Sequence, residues 1–527
     1  MPKHVTCDQT IQMRARSLLL IAFLLFGITS QAKTGSPEDS FHIRGFHLDL
    51  RIQVMKMQAL KNFALHLSKQ GINTLVMEWE ATYPFQEDPL IPNRFAYSRQ
   101  EVKDFIKYCQ SLHIDVIPLQ QSFGHVEYIL RNYKYAKLRE DDKDFSQVCP
   151  SETELNRELF TRLFKDMAST HPSPYFHIGG DETHLLGHCE KCKKKAAEIG
   201  ISRLYFDHIK MLCDIVVSLG KRPVVWADIA LKYPEFINLL PKETIFVDWN
   251  YGWAMDRFGA HEQLVKSGYE IWGAPSIRSS PDNYFLTRWQ YHFNNIRDFI
   301  PICKNLGYKG IVMTSWSTSG VYSATYESED DLVELYALRH VYPITGFDIL
   351  ISAYMKAIYS DHPLNTDQFI RDYCLSEFGF DNGQSEQFQK ALFTAPYTIT
   401  NGKVNSPGHI TVNDLLDSAH QASKIFHMLQ PSKNIKMFNQ FQLMADIRVY
   451  YLSYMEIEKE VNSDNFSRDK IPSYLTRLKE LMTRAPELDK RFRLLNQEVL
   501  YSAAIDEENN LRNQKIYNLY NRLSGIK

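Results

Sequence analysis

The chain has no strong excess of either charge: over 527 residues the formal net charge is −2. That excludes the broad basic footprint of a nucleic-acid binder and the polybasic face of an anionic-membrane binder. After the first 32 residues no apolar run is long enough to span a bilayer, and no low-complexity tract or repeat family is present. Disorder is excluded by a 44% apolar composition with ordinary glycine and proline, enough for a sizeable core and two domains. Cysteine is sparse. Eight are present, scattered rather than arrayed as a disulfide framework.

The amino terminus carries Arg14 and Arg16, an apolar run from Leu18 to Ile28, then Ser30-Gln31-Ala32. This is the pattern of a secretory leader over residues 1–32, with Met13 as an alternative start. Export to the periplasm or the exterior is expected. Between about residue 41 and residue 342, β-like runs alternate with helical stretches eight times. The expected strands are Ile43–Leu48, Thr74–Trp79, Asp115–Leu119, Tyr175–Ile178, Pro223–Trp226, Thr244–Asp248, Glu270–Trp272 and Gly310–Thr314. Count and span predict an α/β fold, a (β/α)8 TIM barrel over 33–345. From about Asp348 the pattern turns to amphipathic stretches such as Asn413–Leu429, Met437–Glu460 and Glu487–Tyr520, predicting an all-helical C-terminal domain over 346–527.

Polar and aromatic residues follow nearly every strand: Asp49, Glu80, Gln120 with Gln121 and His125, Asp181 with Glu182, Trp226 with Asp228, Asp248 to Tyr251, Trp272 and Trp316. Barrel interiors are filled mainly by branched aliphatics, and ligands bind at the C-terminal face, so this set reads as a site. Its centre is Phe-His-Ile-Gly-Gly-Asp-Glu-Thr, residues 176–183. An apolar strand stops at two glycines, which permit close backbone approach, and delivers adjacent carboxylates. Taken alone, Asp181 reads equally as a helix cap. In extended backbone neighbouring side chains face opposite ways, which predicts different tasks for Asp181 and Glu182.

Cys189-Glu190-Lys191-Cys192, preceded by His184 and His188, has the spacing of half a zinc site, but no second pair follows it. A local disulfide or two free thiols is the preferred reading, with no metal. The aromatic stretch Pro281 to Phe293, with Tyr284, Trp289 and Tyr291, reads either as a lid or as helix packing.

His177-Ile178-Gly179-Gly180-Asp181-Glu182 resembles the signature of glycoside hydrolase family 20, the β-N-acetylhexosaminidases, and in particular their hexosaminidase D branch. The similarity extends in order through Val116-Ile117-Pro118-Leu119, Phe123-Gly124-His125, Val225-Trp226-Ala227-Asp228, Trp249-Asn250-Tyr251 and the Trp316 strand. The resemblance implies retaining, substrate-assisted hydrolysis of a terminal N-acetylglucosamine or N-acetylgalactosamine from a glycan, without a cofactor. It assigns Glu182 as general acid and base, with a raised pKa beside a second carboxylate. It assigns Asp181 to orient the acetamido group and Tyr251 to bond its carbonyl oxygen. Asp49, Glu80, His125, Trp226, Asp228, Trp249 and Trp316 are the expected substrate-binding set. Larger members of the family carry an arginine three residues after the first-strand aspartate. Here Arg51 lies two after Asp49, which in extended chain is the opposite face from a residue three after it. Rival readings are a disaccharide-releasing member of the family and a non-catalytic glycan-binding barrel.

Overall fold

The chain was analysed as a computed structural model that describes residues 41–259, 261–279, 287–317, 343–394, 398–400, 403–405 and 410–526. The leader expected over residues 1–32 lies outside the described residues.

Strands β1 (Ile43–Asp49), β2 (Thr74–Glu78), β3 (Asp115–Leu119), β4 (Tyr175–His177), β5 (Arg222–Trp226), β6 (Ile245–Trp249) and β7 (Glu270–Ala274) pair in parallel, each with the next. The seventh stave is interrupted at Pro275, which has no N–H to donate, and resumes as β8 (Ser276–Arg278). The last stave, β9 (Gly310–Ser315), pairs with β7 and β8 and closes on β1 through Ile43 opposite Gly310. The result is the expected eight-stave parallel barrel. Each expected strand is found with its ends moved by no more than two residues, and Asp115–Leu119 is found unchanged.

The alternation of side chains sorts the barrel into two faces. Ile43, Val76, Ile117, Leu119, Val224, Ile245, Val247 and Val312 fill the interior with Trp226 and Trp272. Their neighbours Phe46, Leu75, Met77, Val116, Phe176, Val225, Phe246 and Ile311 face the surrounding helices. Each such aliphatic side chain contributes about 1.5–3 kcal/mol by burial. Gly310 makes room for Trp272: a Cβ there would lie 2.6 Å from the indole Cδ1. Trp272 is thus part of the floor, its Nε1–H donating to Glu270 at 2.9 Å. The sequence reading put it at the ligand end because the seventh strand was ended two residues early.

The outer ring includes α1 (Met57–Gln70), α2 (Arg99–Ser111), α3 (Thr153–Ala168), α4 (Glu190–Ile199), α5 (Ile201–Ser218) and α6 (Trp289–Asn305). Helix α7 (Asp348–Ile358) also packs on the barrel, where Tyr354 Oη donates to the carbonyls of Gly45 and Ile311. Beyond a two-stranded antiparallel ladder, Thr398–Thr400 with Lys403–Asn405, come α8 (Val412–Met428), α9 (Ile435–Val461), α10 (Ile471–Asn496) and α11 (Ser502–Ser524). The expected segment Glu487–Tyr520 is two helices, because α10 runs straight through Pro486 and ends where Leu500 bridges to Met55. Helix α9 is the centre of this bundle and is buried on nearly all sides. Its buried acids are paired, Asp446 with Arg491 at 2.6 Å and Glu458 with Lys515 at 3.2 Å, as burial of a charge requires. Bundle and barrel share one core: Trp289 of α6 stacks near Phe347 and Phe441 at 5.4 and 5.5 Å. Trp289 is therefore helix packing. Tyr284 lies outside the described residues. Among the described residues, no helix is long and apolar enough to cross a membrane.

Candidate active site

Strand β4 ends at His177, and the chain then turns sharply. Gly179 and Gly180 have φ of 73° and 99°. A Cβ on Gly179 would run into the Gln121 side chain, so glycine is required by conformation and by space. Gly124 is needed for another reason: a Cβ there would lie 2.7 Å from the carbonyl oxygen of Asp181. Glycines thus let the loops after β3 and β4 touch. Glu80, His125 and Glu182 all hold left-handed backbone, with φ of 45°, 56° and 46°. Non-glycine residues in that region cost of order 1–3 kcal/mol, and such strain concentrates at functional sites.

Because Glu182 is left-handed, the alternation expected of extended chain does not apply, and both carboxylates reach one imidazole. His125 Nε2 lies 3.6 Å from Asp181 Oδ2 and 3.5 Å from Glu182 Oε2. Burial alone would lower the His125 pKa, but Asp181 and Glu182 outweigh it and hold the ring protonated well above its ordinary value. The two acids still differ in surroundings. Asp181 is buried, and its Oδ1 has no hydrogen-bond partner among the described residues. The Glu182 side chain is 43% exposed. Its pKa is lowered, chiefly by His125. The raised value expected from the sequence is overturned, since the adjacent His125 cation outweighs the effect of burial.

Asp228, at the end of β5, accepts the Glu182 N–H at 3.3 Å and the Trp249 indole N–H at 3.4 Å. Burial, reinforced by the charge on Asp181, pushes Asp228 up to about 7. Tyr251 Oη accepts the Trp316 indole N–H at 2.6 Å, and burial keeps the phenol protonated, far above its ordinary pKa.

Trp249, Tyr251, Trp253 and Phe258 form a continuous aromatic rim with centroids 4.6–5.7 Å apart. Trp253 and Phe258 were not singled out from the sequence, because they lie in an irregular loop. Trp226 is fully buried beneath, 4.4 Å from His177 and 5.7 Å from Trp316, so it is floor rather than wall. Asp248 faces out of the barrel, holding His261 at 2.7 Å and Tyr308 at 2.6 Å.

The first two staves supply a buried ionic cluster. Arg51 lies on the same side as Asp49, as a separation of two residues gives in near-extended chain, just past the end of β1. Its guanidinium pairs with Glu78 at 3.0 Å and Glu80 at 2.9 Å. Asp49 is spent on backbone, accepting the N–H groups of Arg51 at 2.7 Å and Ser317 at 2.8 Å. Burial raises Asp49 and, more strongly, Glu80 against the pull of Arg51. Glu78 goes the other way: burial is overcome by His47 at 2.8 Å, Arg51 and Gln121, which hold it at about 2. Glu78 was missed from the sequence. Its signal was an acid at an inward position of β2, two residues after Val76.

The pair Cys189 and Cys192 sits beside this site with a third thiol from far upstream. Cys149 Sγ lies 3.5 Å from Cys189 Sγ and 3.4 Å from Cys192 Sγ, and Glu140 joins the cluster. Neither Cys149 nor Glu140 was foreseen as a partner. His188 points away to Asp141.

Residues 42–326 match the family model described as glycosyl hydrolase family 20, catalytic domain. Hexosaminidase D of Bos taurus is 26% identical over 302 residues, covering 54% of this chain and 87% of that one. Hexosaminidase D of Homo sapiens is 25% identical over 305 residues, covering 54% and 62%. A solved β-N-acetylhexosaminidase from Bacteroides fragilis NCTC 9343 superposes with a TM-score of 0.48 at 18% identity, over 64% of this chain and 69% of that one.

Proposed function

The chain belongs to glycosyl hydrolase family 20 and is a glycoside hydrolase, and from that premise we propose that it is an exo-acting, retaining β-N-acetylhexosaminidase using substrate assistance. The observation that carries this reading is the unpartnered, buried Asp181 Oδ1 beside a solvent-accessible Glu182, with His125 touching both acids.

In the proposed reaction the terminal sugar packs against the aromatic side chains of Trp249 and Trp316, which contribute apolar contact and exclude water. Asp181 Oδ1 accepts the acetamido N–H, and the Tyr251 O–H donates to the acetamido carbonyl oxygen. That carbonyl oxygen attacks the anomeric carbon as the glycosidic C–O bond breaks. Glu182 gives its proton to the departing oxygen. The positive charge that develops on the acetamido group is balanced by Asp181. Water then attacks the same carbon, Glu182 takes the proton back, and the ring formed by the acetamido group reopens, leaving net retention.

Glu182 begins with a depressed pKa, unfavourable for an acid. Binding a sugar over its exposed side chain removes solvent and raises the pKa, which favours the protonated form when substrate is present. Arg51, held by Glu78 and Glu80, is the base of the pocket under the first stave and is the proposed reader of ring hydroxyls. The leader pattern at residues 14–32 supports export, which the mature amino terminus of material from the culture medium or periplasm would test.

The direct test is hydrolysis of aryl β-glycosides of N-acetylglucosamine, N-acetylgalactosamine and glucose by the purified chain and its Glu182→Gln variant. Cleavage restricted to the acetamido sugars and largely lost in the variant is expected. Equal cleavage of the glucoside would remove the role given to Asp181. Cleavage of none, with release of a disaccharide from longer glycans, would move the assignment to a disaccharide-releasing enzyme.

A further inference from the structure

The loop between β3 and α3 meets the N-terminal end of α4, with its cap Cys189, at four potential ligand atoms. They belong to Glu140, Cys149, Cys189 and Cys192, and all lie within 4.8 Å of one another. Glu140, Cys149 and Cys192 are buried, and Cys189 is half-buried. We propose that these four residues form a structural zinc site that clamps the two segments together.

Geometry is the first argument. Four ligands about a zinc ion with Zn–S bonds of about 2.3 Å place their sulfur atoms about 3.8 Å apart. The Cys149 sulfur lies 3.4 and 3.5 Å from the other two, far outside the length of about 2.05 Å of a disulfide. Cys149 is also equidistant from both partners, whereas a disulfide would select one and leave the third thiol and Glu140 without a task. The Cys189-to-Cys192 turn has the form of a metal-binding knuckle, with the Cys192 N–H donating to Cys189 Sγ at 3.4 Å.

Glu140 is the second argument. It is a buried carboxylate, 2% exposed, and its hydrogen bonds come from the Cys189 N–H at 2.9 Å and the Cys192 thiol at 3.2 Å. Among the described residues no lysine, arginine or histidine pairs with it. A buried carboxylate calls for a positive charge, and a divalent cation between it and three sulfurs supplies one. The chemistry of the set, three soft sulfurs and one oxygen, selects zinc over calcium or magnesium. Binding releases one proton from each of the three thiols to solvent, leaving three thiolates, one carboxylate and Zn²⁺. Leu204, with Leu186, Ala196 and Ile201, walls the cluster with apolar side chains.

The backbone gives the site its consequence. Cys149 N–H donates to the Leu138 carbonyl at 2.7 Å and Val148 N–H to the Phe123 carbonyl at 3.1 Å, two residues before His125. Cys189 lies seven residues after Glu182 on the other loop. The metal would thus fix the separation of the loops that present His125 and Glu182. Its role is one of positioning, through the backbone of the two segments.

The test is metal analysis of the purified full chain, followed by reconstitution of chelator-treated protein with cobalt(II) alone. About one zinc per chain is expected, and cobalt should give the intense visible bands and near-ultraviolet sulfur-to-metal charge transfer of a tetrahedral thiolate site. Cys192→Ser should abolish both. Glu140→Gln, which keeps every thiol, should weaken metal retention about 10- to 100-fold or more. Protein that holds no zinc and gives no cobalt bands overturns the proposal. So does metal content unchanged in both variants. Two additional thiols appearing only after reduction of the denatured chain would identify a disulfide instead.

Discussion

Replacing Asp228 with asparagine should change the pH dependence of stability in a calculable direction. Asp228 is buried, and its carboxyl is pushed from an ordinary value of 3.8 to about 7, first by burial and then by Asp181. A folded-state pKa above the unfolded one means that the stability the protonated acid contributes is fully present below about pH 3.8 and is lost as pH rises towards 7. Integrating over that shift, the loss is roughly 2 kcal/mol at about pH 5 and roughly 4 kcal/mol at about pH 8. Asparagine does not titrate. Its amide also turns one N–H towards either the Glu182 N–H or the Trp249 indole, costing about 1–3 kcal/mol, but that cost is the same at both pH values. The difference between them isolates the titration, roughly 2–3 kcal/mol in favour of the variant at the higher pH. At about 2.1 cal/mol/K of unfolding entropy per residue over residues 41–527, this corresponds to about 2–3 °C. Melting curves of both proteins at the two pH values are the assay. The variant's Tm relative to wild type should be higher by that margin at pH 8 than at pH 5. An equal offset at both pH values would refute the assignment of a buried, largely protonated Asp228.

His125→Asn removes the cation that holds Glu182 down, so the Glu182 pKa should rise. If Glu182 is the general acid, the alkaline limb of the kcat/KM profile on an aryl N-acetylglucosaminide moves up with it, and an unmoved limb would contradict that role. Tyr251→Phe leaves the aromatic rim but removes the donor to the acetamido carbonyl, and a fall in kcat of about 100-fold is expected in steady-state assays with KM little changed. Gly179→Ala forces a side chain into Gln121 at a left-handed position. It should lower Tm and activity together, while Gly268→Ala, also left-handed but with open space around it, should cost about 1 kcal/mol and spare activity.

The barrel was legible because its staves are short apolar runs whose inward members Val76, Ile117, Val224 and Val312 alternate with outward ones. That pattern is local, and so are the strand ends that carry Asp181, Glu182, Asp228 and Tyr251. What the sequence concealed depends on the chain leaving regular conformation or on distant segments meeting. Arg51 pairs with Glu78 and Glu80, which come from the neighbouring stave and the turn after it. The depressed pKa of Glu182 follows from left-handed backbone that brings it to His125. Cys149 meets Cys189 across forty residues. The break between α10 and α11 is set by the Leu500 to Met55 bridge, while Pro486, the visible breaker, lies inside an unbroken helix.

Substrate assistance by the acetamido group, oriented by Asp181 and Tyr251, is the central claim. It is tested most directly by kcat/KM for aryl β-N-acetylglucosaminides whose acetyl group is replaced by mono-, di- and trifluoroacetyl. Fluorine withdraws electrons from the carbonyl oxygen without blocking the pocket. If that oxygen is the nucleophile, kcat/KM falls steeply and monotonically along the series, with KM changing far less. A flat series would show that the attacking group belongs to the protein or to water, and would contradict the account.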